Sequence, residues 1–339
     1  MVEHMIQQWV DEKKIPGAVI NISVGKKIVL QKAFGGYTDN EGSYRSIETS
    51  TIFDVASLTK VVSTLPSVLL LVAGKQINLT DPIAAYLPAF HHRNITIKNL
   101  LLHNSGLAAK LPYKKRNETR DVLQEIYQQP LTDQTGKVTV YSDLGMILLG
   151  KLIEVVYGES LSSFASQNIF KPLKMEDTMF NPSEKLKARI TPTEKVDGKF
   201  VHGSVHDEKT YHLGGAAGSA GLFSTADDLT KYANWWLYPE KQSILPKDLM
   251  VESRTHHQDN RGYGFEVWSG NGEPPSCGEK WSSGSFGHTG FTGTSMWIDP
   301  EKDLSVIFLT NAVHYGRNTP IKDLRRQLHT GIYSSLFGE

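Results

Sequence analysis

The pattern of hydrophobic and polar positions divides the chain into a β-rich start, a long helical middle and a β-rich end. Apolar residues recur every three or four positions from Val2 to Val10, which predicts an amphipathic helix that ends before Pro16. Residues 18–23 and 28–34 are rich in β-branched and apolar side chains, and the turn residues between them predict a hairpin. The chain therefore opens with a helix and two paired strands.

The middle of the chain follows helical spacing. Apolar helices are predicted after Ser57, at residues 143–157 and at residues 226–236, where the Thr225 side chain can cap the first turn. Pro66 should kink the first of these helices or end its first part. The glycine-rich stretch at residues 214–221 predicts close backbone packing, since no strand–turn–helix of nucleotide-binding type surrounds it.

Four further strands and a closing helix are predicted near the C-terminus, at residues 263–268, 285–289, 294–298, 304–309 and about 319–336. Because strands lie at both ends of the chain with helices between them, the pattern predicts one sheet built from both termini and interrupted by a helical insertion. We therefore predict an α/β protein with a discontinuous α/β domain at residues 1–60 and 260–339. Residues 61–259 would form a mostly helical inserted domain.

Composition narrows the classes of protein. Of 339 residues, 39% are hydrophobic and 21% are charged, as in ordinary globular proteins. Lys plus Arg (36) balances Asp plus Glu (36), which argues against a nucleic-acid partner or an acidic membrane surface. No apolar run is long enough to span a membrane, and the N-terminus does not resemble a signal peptide. We expect a cytoplasmic protein, or an exported one whose leader has been removed.

Cysteine and histidine usage gives no sign of a metal centre. The single cysteine, Cys277, excludes an internal disulfide and a cysteine-rich zinc module. His202 and His206 have a spacing found in metal sites, but their segment is not convincingly helical and a clear further ligand is missing. We predict neither a metal nor a cofactor.

The first candidate for chemistry is the pair Ser57 and Lys60, which stand three residues apart where an extended segment turns into an apolar helix. Residues i and i+3 share one helix face, so the Lys60 ammonium can reach Ser57 Oγ. A free serine is a weak nucleophile and needs a base or a cation beside it. Apolar neighbours are expected to lower the pKa of Lys60 by burial. A second Ser-x-x-Lys, from Ser23 to Lys26, falls in the predicted hairpin, so only Ser57 opens a helix.

Tyr141, Ser142 and Asp143 precede a predicted helix. A tyrosine beside a lysine ammonium can ionise more easily and take the serine proton as a general base. In isolation, the better interpretation is that Ser142 or Asp143 merely caps the helix. An Asp143 carboxylate near Lys60 would favour the charged lysine and could accept a hydrogen bond from a substrate N–H or ammonium.

His288, Thr289 and Gly290 lie on a predicted strand. A glycine there lets a substrate carbonyl approach the backbone, whose N–H groups can form an oxyanion hole. The alternative is an ordinary strand pair followed by a bulge at Gly290. A lipase-type Gly-x-Ser-x-Gly is missing, since Ala217 stands where the first glycine before Ser219 should be.

Taken together, Ser57-x-x-Lys60, Tyr141-Ser142-Asp143 and His288-Thr289-Gly290 resemble, in order and spacing, the three motifs of class C β-lactamases, their esterase relatives and DD-peptidases. Residues 100–107, 221–229 and 288–300 strengthen the match, and the resemblance covers nearly the whole chain. It implies a β-lactamase/transpeptidase-like fold, with an antiparallel sheet flanked by helices, in agreement with the interrupted sheet.

The resemblance also implies residue roles. Ser57 would be the acylated nucleophile, Lys60 its proton partner and Tyr141 the general base. The main-chain N–H groups of Ser57 and Phe291 would form the oxyanion hole.

Two positions depart from the family pattern, and both would meet the substrate. Asp143 replaces an asparagine, and His288, next to Thr289 and Gly290, replaces a substrate-anchoring lysine. With an ordinary pKa near 6.5, His288 would be mostly neutral at pH 7. Carboxylate recognition should then be weak and should strengthen as the pH falls through about 6.5.

These patterns predict a cofactor-free serine hydrolase that forms an acyl-enzyme on an ester or amide. Its partners would be small esters, β-lactams or peptidoglycan-derived peptides. One alternative is an amidase or peptidase acting on muropeptides. Another is a non-catalytic penicillin- or peptidoglycan-binding module, but such a module has no need for all of Ser57, Lys60 and Tyr141.

Overall fold

The structure is a computed structural model that describes residues 1–241 and 243–338. Its α-helices are α1 (Val2–Asp11), α2 (Leu65–Ala73), α3 (Ile97–Leu101), α4 (Val122–Tyr127), α5 (Asp143–Tyr157), α6 (Leu161–Ala165), α7 (Glu208–His212), α8 (Ala226–Leu237), α9 (Lys247–Ser253) and α10 (Ile321–Phe337). Its strands are β1 (Gly17–Val24), β2 (Lys27–Thr38), β3 (Tyr44–Ser46), β4 (Phe53–Asp54), β5 (Met179–Phe180), β6 (Lys195–Val196), β7 (Lys199–Phe200), β8 (Leu222–Ser224), β9 (Glu266–Val267), β10 (Phe286–Thr289), β11 (Ser295–Asp299) and β12 (Leu304–Thr310).

The main sheet is built from both ends of the chain, as the sequence predicts. In the described residues its strand order is β3-β2-β1-β12-β11-β10-β9, and neighbouring strands are antiparallel. The N-terminal hairpin joins the C-terminal strands where β1 pairs with β12, in a register that sets Ala18 opposite Thr310. The predicted strand at residues 263–268 is shortened to β9. Gly264 has a φ of 69°, which turns the chain before the ladder with β10 begins.

Helices cover both faces of this sheet. Along β12, Val306 and Phe308 join a core with α1 and α10, whereas Ile307 and Leu309 join a larger core on the opposite face. This alternation follows from the two-residue period of a strand. Helix α8, whose first turn is capped by Thr225 as predicted, packs against β1, β11 and β12 on the larger core's side. The division into domains at residues 60 and 260 stays a prediction.

The helix that begins after Ser57 is not broken at Pro66. A π-helical turn, Lys60–Thr64, runs directly into α2. Pro66 is the second residue of α2, a position where a missing N–H does little harm. The first, π-helical part of this helix therefore ends at Thr64, two residues before Pro66, and regular α-helix begins at Leu65. None of the helices within the described ranges is long and apolar enough to cross a bilayer.

Candidate active site

Ser57 lies at a sharp turn between β4 and the following helix. Ala56 has a φ of 47°, a left-handed conformation that is uncommon for a residue with a Cβ. The turn is held by Asp54, whose carboxylate accepts a hydrogen bond from the Ala56 N–H at 2.8 Å. Strand β4 pairs with β8, which brings the end of the glycine-rich stretch beside Ser57. This geometry leaves Ser57 half-buried at the start of the helix.

Lys60 makes the contact with Ser57 that their spacing predicts. Its fully buried Nζ donates a hydrogen bond to Ser57 Oγ at 2.8 Å and another to the Ser219 carbonyl oxygen at 2.9 Å. It also lies 2.9 Å from Asp143 Oδ1. The amine is thus surrounded by oxygen atoms from three separate segments.

The charge state of Lys60 follows the prediction made from Asp143 and not the one made from burial. Burial acts to lower the pKa of Lys60, but the Asp143 carboxylate, the Tyr141 oxygen and hydrogen bonds to both outweigh it, so the pKa lies above its usual range. The expected lowering is therefore wrong. Lys60 is an ammonium that holds Ser57 Oγ and stabilises nearby negative charge.

Tyr141 lies directly over this pair. Its hydroxyl interacts with Ser57 and Lys60, and its ring is flanked by His103 and His288, with centroid separations of 4.9 and 5.7 Å. Burial raises the pKa of Tyr141, and the opposing effect of Lys60 is smaller. The expectation that the lysine makes this phenol ionise readily is corrected accordingly: Tyr141 is neutral in the resting site.

The loop that contains His103 positions the Tyr141 segment. Ser142 N–H donates to His103 Nδ1 at 3.1 Å, and Val140 N–H donates to the His103 carbonyl oxygen at 2.8 Å. Ser142 is also the N-cap of α5, as its helix-capping interpretation predicts. Burial, followed by the charges of Arg261 and Lys60, keeps the pKa of His103 well below its usual range, so the ring is neutral.

Asp143 connects two lysines. Besides the contact with Lys60, its Oδ2 lies 3.4 Å from the Nζ of Lys209, which in turn pairs with Asp207 at 2.7 Å. Both carboxylate oxygens therefore already have a cationic partner. A substrate ammonium would have to compete with Lys60 and Lys209 for Asp143.

His288 is buried in β10 and is 1% exposed. Its Nδ1 lies 2.7 Å from the Thr289 carbonyl oxygen, and its Nε2 is buried with no hydrogen-bond partner among the described residues. Burial and the nearby charges of Lys60 and Arg261 hold its pKa well below 6.5. The expectation of an ordinary pKa is therefore wrong, because this ring lies in a dry and positively charged environment.

A pH prediction follows from this correction. The preference for carboxylate-bearing over neutral esters should stay constant between about pH 6 and pH 8.5, because His288 remains neutral throughout. The measurement is kcat/KM for a matched pair of charged and neutral esters across that range. A preference that rises severalfold on acidification, and is lost in His288→Gln, would contradict it.

The segment after β10 forms a tight turn against the Ser57 strand. Thr292 and Thr294 donate side-chain hydrogen bonds to the carbonyl oxygens of Asp54 and Val55, at 2.7 and 3.1 Å. A Cβ at Gly290 would lie 2.4 Å from the Val55 carbonyl oxygen, so this approach requires glycine. The turn carries Phe291 at its tip.

The main chain around this turn is suited to an oxyanion hole. In the described part of the chain, the N–H groups of Ser57 and Phe291 donate no hydrogen bonds. A developing oxyanion is stabilised by two free N–H donors held in fixed positions, and the hydrogen bonds between these two segments hold them in place. Their assignment to the oxyanion hole stays a prediction.

Two cavities meet at Ser57. The first, which we name the arginine cleft, has a volume of about 420 Å³ and is lined by His288 to Phe291 and by Arg261, Arg317 and Arg325. The second, which we name the lysine cleft, has a volume of about 200 Å³ and is lined by Lys110, Asp143, Lys209 and Ser219. Tyr141 and Phe291 border both. A substrate whose scissile carbonyl lies at Ser57 can therefore extend in two directions.

The β-lactamase family model matches residues 2–330. This chain belongs to the β-lactamase family. It is 31% identical to the N-acetylmuramyl-L-alanine amidase of Bacillus subtilis (strain 168), over 99% of this chain and 86% of that protein. It is 28% identical, over 94% of this chain and 83% of the other, to an Escherichia coli (strain K12) protein provisionally named D-alanyl-D-alanine carboxypeptidase.

Solved structures of β-lactamase-family proteins share the fold. A class C β-lactamase superposes with a TM-score of 0.78 at 18% identity, covering 99% of this chain and 97% of that one. The predicted β-lactamase/transpeptidase-like fold is thereby confirmed. Family membership makes this chain a serine hydrolase of the β-lactamase fold.

Several residues at this β-lactamase-family site escaped the sequence analysis. The glycine-rich stretch packs closely as predicted, since a Cβ at Gly218 would lie 1.9 Å from the Met146 carbonyl oxygen. Its second role, presenting the Ser219 carbonyl to Lys60, carries no sequence signal because any residue has that carbonyl. Lys209 and Arg261 were also missed, since isolated cations in loops and short helices look like surface residues.

The two histidines with metal-like spacing contact other groups of the protein. His202 Nε2 lies 2.9 and 2.7 Å from the carbonyl oxygens of Lys187 and Ile190, and His206 Nε2 lies 2.8 Å from Glu194 Oε2. Across the described ranges, His, Cys, Asp and Glu side chains form no group of three or more that could hold a metal ion.

Proposed function

We propose that this chain cleaves an amide bond in peptidoglycan-derived muropeptides through an acyl-enzyme on Ser57. The observation that carries the proposal is the hydrogen bond from the Lys60 ammonium to Ser57 Oγ, with the Tyr141 hydroxyl interacting with both. The substrate class is supported by the amidase from Bacillus subtilis, which matches nearly the full length of this chain. The clefts on both sides of Ser57 suit a substrate that continues on both sides of its scissile bond.

Acylation begins with attack of Ser57 Oγ on the scissile carbonyl carbon. The Oγ–C bond forms, and the carbonyl oxygen becomes an oxyanion held by the N–H groups of Ser57 and Phe291. Because Tyr141 is neutral at rest, it acts as a relay. Its oxygen takes the Ser57 proton while its own proton passes to the amide nitrogen, whose bond to carbon then breaks and releases the amine.

The Lys60 ammonium assists this relay without giving up a proton. Negative charge that builds on Ser57 Oγ and on the Tyr141 oxygen during proton transfer lies beside a buried cation, where attraction is stronger than in water. Asp143 keeps that cation charged. A lysine that stays charged and a tyrosine that relays protons from its neutral form both agree with the raised pKa values of Lys60 and Tyr141.

Deacylation reverses the same transfers with water as the nucleophile. The water oxygen bonds to the ester carbon, and its proton passes to Tyr141 while the Tyr141 proton returns to Ser57 Oγ. The bond between Oγ and carbon breaks, which frees Ser57 and releases a carboxylic acid. The net reaction adds one water across the amide and needs no cofactor.

The test is product analysis after incubation with an N-acetylmuramyl-L-alanyl stem peptide that ends in D-alanine. Release of the whole peptide from N-acetylmuramic acid, seen by mass spectrometry and missing with Ser57→Ala, is expected. Release of the terminal D-alanine alone would instead assign a carboxypeptidase. Failure to cleave any amide, in a protein that hydrolyses activated esters, would overturn the proposed substrate class.

A further inference from the structure

Three arginines line the arginine cleft, and two of them already have partners. The buried Arg325 donates to the carbonyl oxygens of Gly290 and Gly293, which braces the turn that carries Phe291. Arg317 pairs with Glu194 through its Nε, at 2.8 and 2.9 Å from the two carboxylate oxygens. Both side chains therefore already bind protein oxygen atoms and stabilise the segments that line the cleft.

Arg261 differs from the other two. Its Nη1 is buried and has no hydrogen-bond partner among the described residues. A buried donor left unpaired is costly, and native proteins rarely tolerate one unless a ligand or water supplies the acceptor. The guanidinium of Arg261 is thus set up to receive an acceptor that the chain itself does not provide.

Arg261 lies beside Tyr141, the proposed proton relay. Its guanidinium lies over the Tyr141 ring, 5.3 Å from the centroid, and lines the same cleft as Ser57. Its backbone belongs to a turn in which His257 N–H donates to the Arg261 carbonyl and Asp259 has a left-handed φ of 48°. A donor on an ordered turn loses little freedom when it binds.

Space continues beyond Arg261. A neighbouring cavity of about 790 Å³ shares Arg261, Glu266, Thr289 and Arg325 with the arginine cleft. This cavity is lined by acidic as well as basic side chains, so it does not attract a polyanion as a whole. It offers one guanidinium with an unpaired Nη1 at its junction with the cleft, and room for the rest of a chain behind it.

We propose that Arg261 binds a carboxylate of the substrate, on the leaving-group side of Ser57, and so takes over the task that a lysine at position 288 would perform. This inference rests on the proposed acyl transfer at Ser57. A guanidinium presents parallel N–H groups that match both oxygens of a carboxylate, which makes the contact strong and directional. The neutral His288 beside it leaves this role to Arg261.

The test compares two acetyl esters that differ in one charge, 3-acetoxybenzoate and 3-acetoxybenzamide. In the wild type, kcat/KM should favour the benzoate. Arg261→Gln should lower the ratio of kcat/KM for the benzoate to kcat/KM for the benzamide by roughly 10- to 100-fold, the size expected for a charge-assisted hydrogen bond. Arg261→Lys should recover part of the preference, because it restores the charge without the planar fork.

Arg93→Gln serves as the matched control, because Arg93 is exposed and lies outside both clefts. It should leave the ratio of the two esters unchanged. An unchanged ratio in Arg261→Gln, or an equal loss for both esters, would overturn the inference. These esters need only the chemistry of Ser57, so a failure on muropeptides would leave this result standing.

Binding gives a second readout that does not depend on turnover. N-acetyl-L-alanine should bind to the Ser57→Ala protein in titration calorimetry, and adding Arg261→Gln should weaken that binding by about tenfold or more. Equal binding to the two proteins, or equal binding of N-acetyl-L-alanine and its methyl amide, would count against a carboxylate site at Arg261.

Discussion

Ser57→Ala is expected to lower kcat for an activated ester such as 4-nitrophenyl acetate by about 10⁴- to 10⁶-fold, because it removes the atom that becomes acylated. The fold should survive, since Ser57 Oγ interacts with Lys60 and with the Tyr141 hydroxyl, both of them side chains of the site itself. The measurements are steady-state kinetics and the Tm of both proteins. Intact-mass spectrometry with a fluorophosphonate should show one adduct on the wild type and none on the variant.

Ser23→Ala provides the matched control for this change. Ser23 begins the second Ser-x-x-Lys of the chain, but it lies in β1, and its buried Oγ has no hydrogen-bond partner among the described residues. Turnover by Ser23→Ala should equal that of the wild type. Near wild-type turnover by Ser57→Ala would overturn the assignment of the nucleophile and the mechanism built on it.

Tyr141→Phe carries the second-largest expected effect, a loss of about 10²- to 10⁴-fold in kcat, the range typical of a lost proton-transfer group. The phenylalanine ring keeps the packing between His103 and His288, so Tm should change little. Acylation and deacylation both use the relay, so single-turnover and steady-state rates should fall together. A burst of acylation at the wild-type rate would mean that Tyr141 acts in deacylation alone.

Tyr44→Phe is the control for Tyr141→Phe, because the Tyr44 side chain is 65% exposed and lies in β3, away from both clefts. It should leave kcat unchanged. A Tyr141→Phe protein within twofold of the wild type would show that Tyr141 only packs against its neighbours, and the proton of Ser57 would then need another acceptor.

The sequence by itself determined the elements and the order of the motifs. The helix at α1, the hairpin of β1 and β2 and the C-terminal strands follow from hydrophobic periodicity, which is a property of neighbouring residues. The contact between Ser57 and Lys60 was predictable for the same reason, since their spacing alone places them on one helix face. Family membership followed from three short motifs in a fixed order.

Only the tertiary structure decided the charges in the site. The lowered pKa of Lys60, the readily ionised Tyr141 and the ordinary pKa of His288 were wrong, because the sequence does not tell how burial is balanced against each nearby charge. The prediction that an Asp143 carboxylate near Lys60 favours the charged lysine was confirmed. A pKa depends on desolvation and on charges within a few ångströms, and those come from distant segments. Asp143 reaches Lys60 from the start of α5, and Arg261 reaches the Tyr141 ring from a loop before β9.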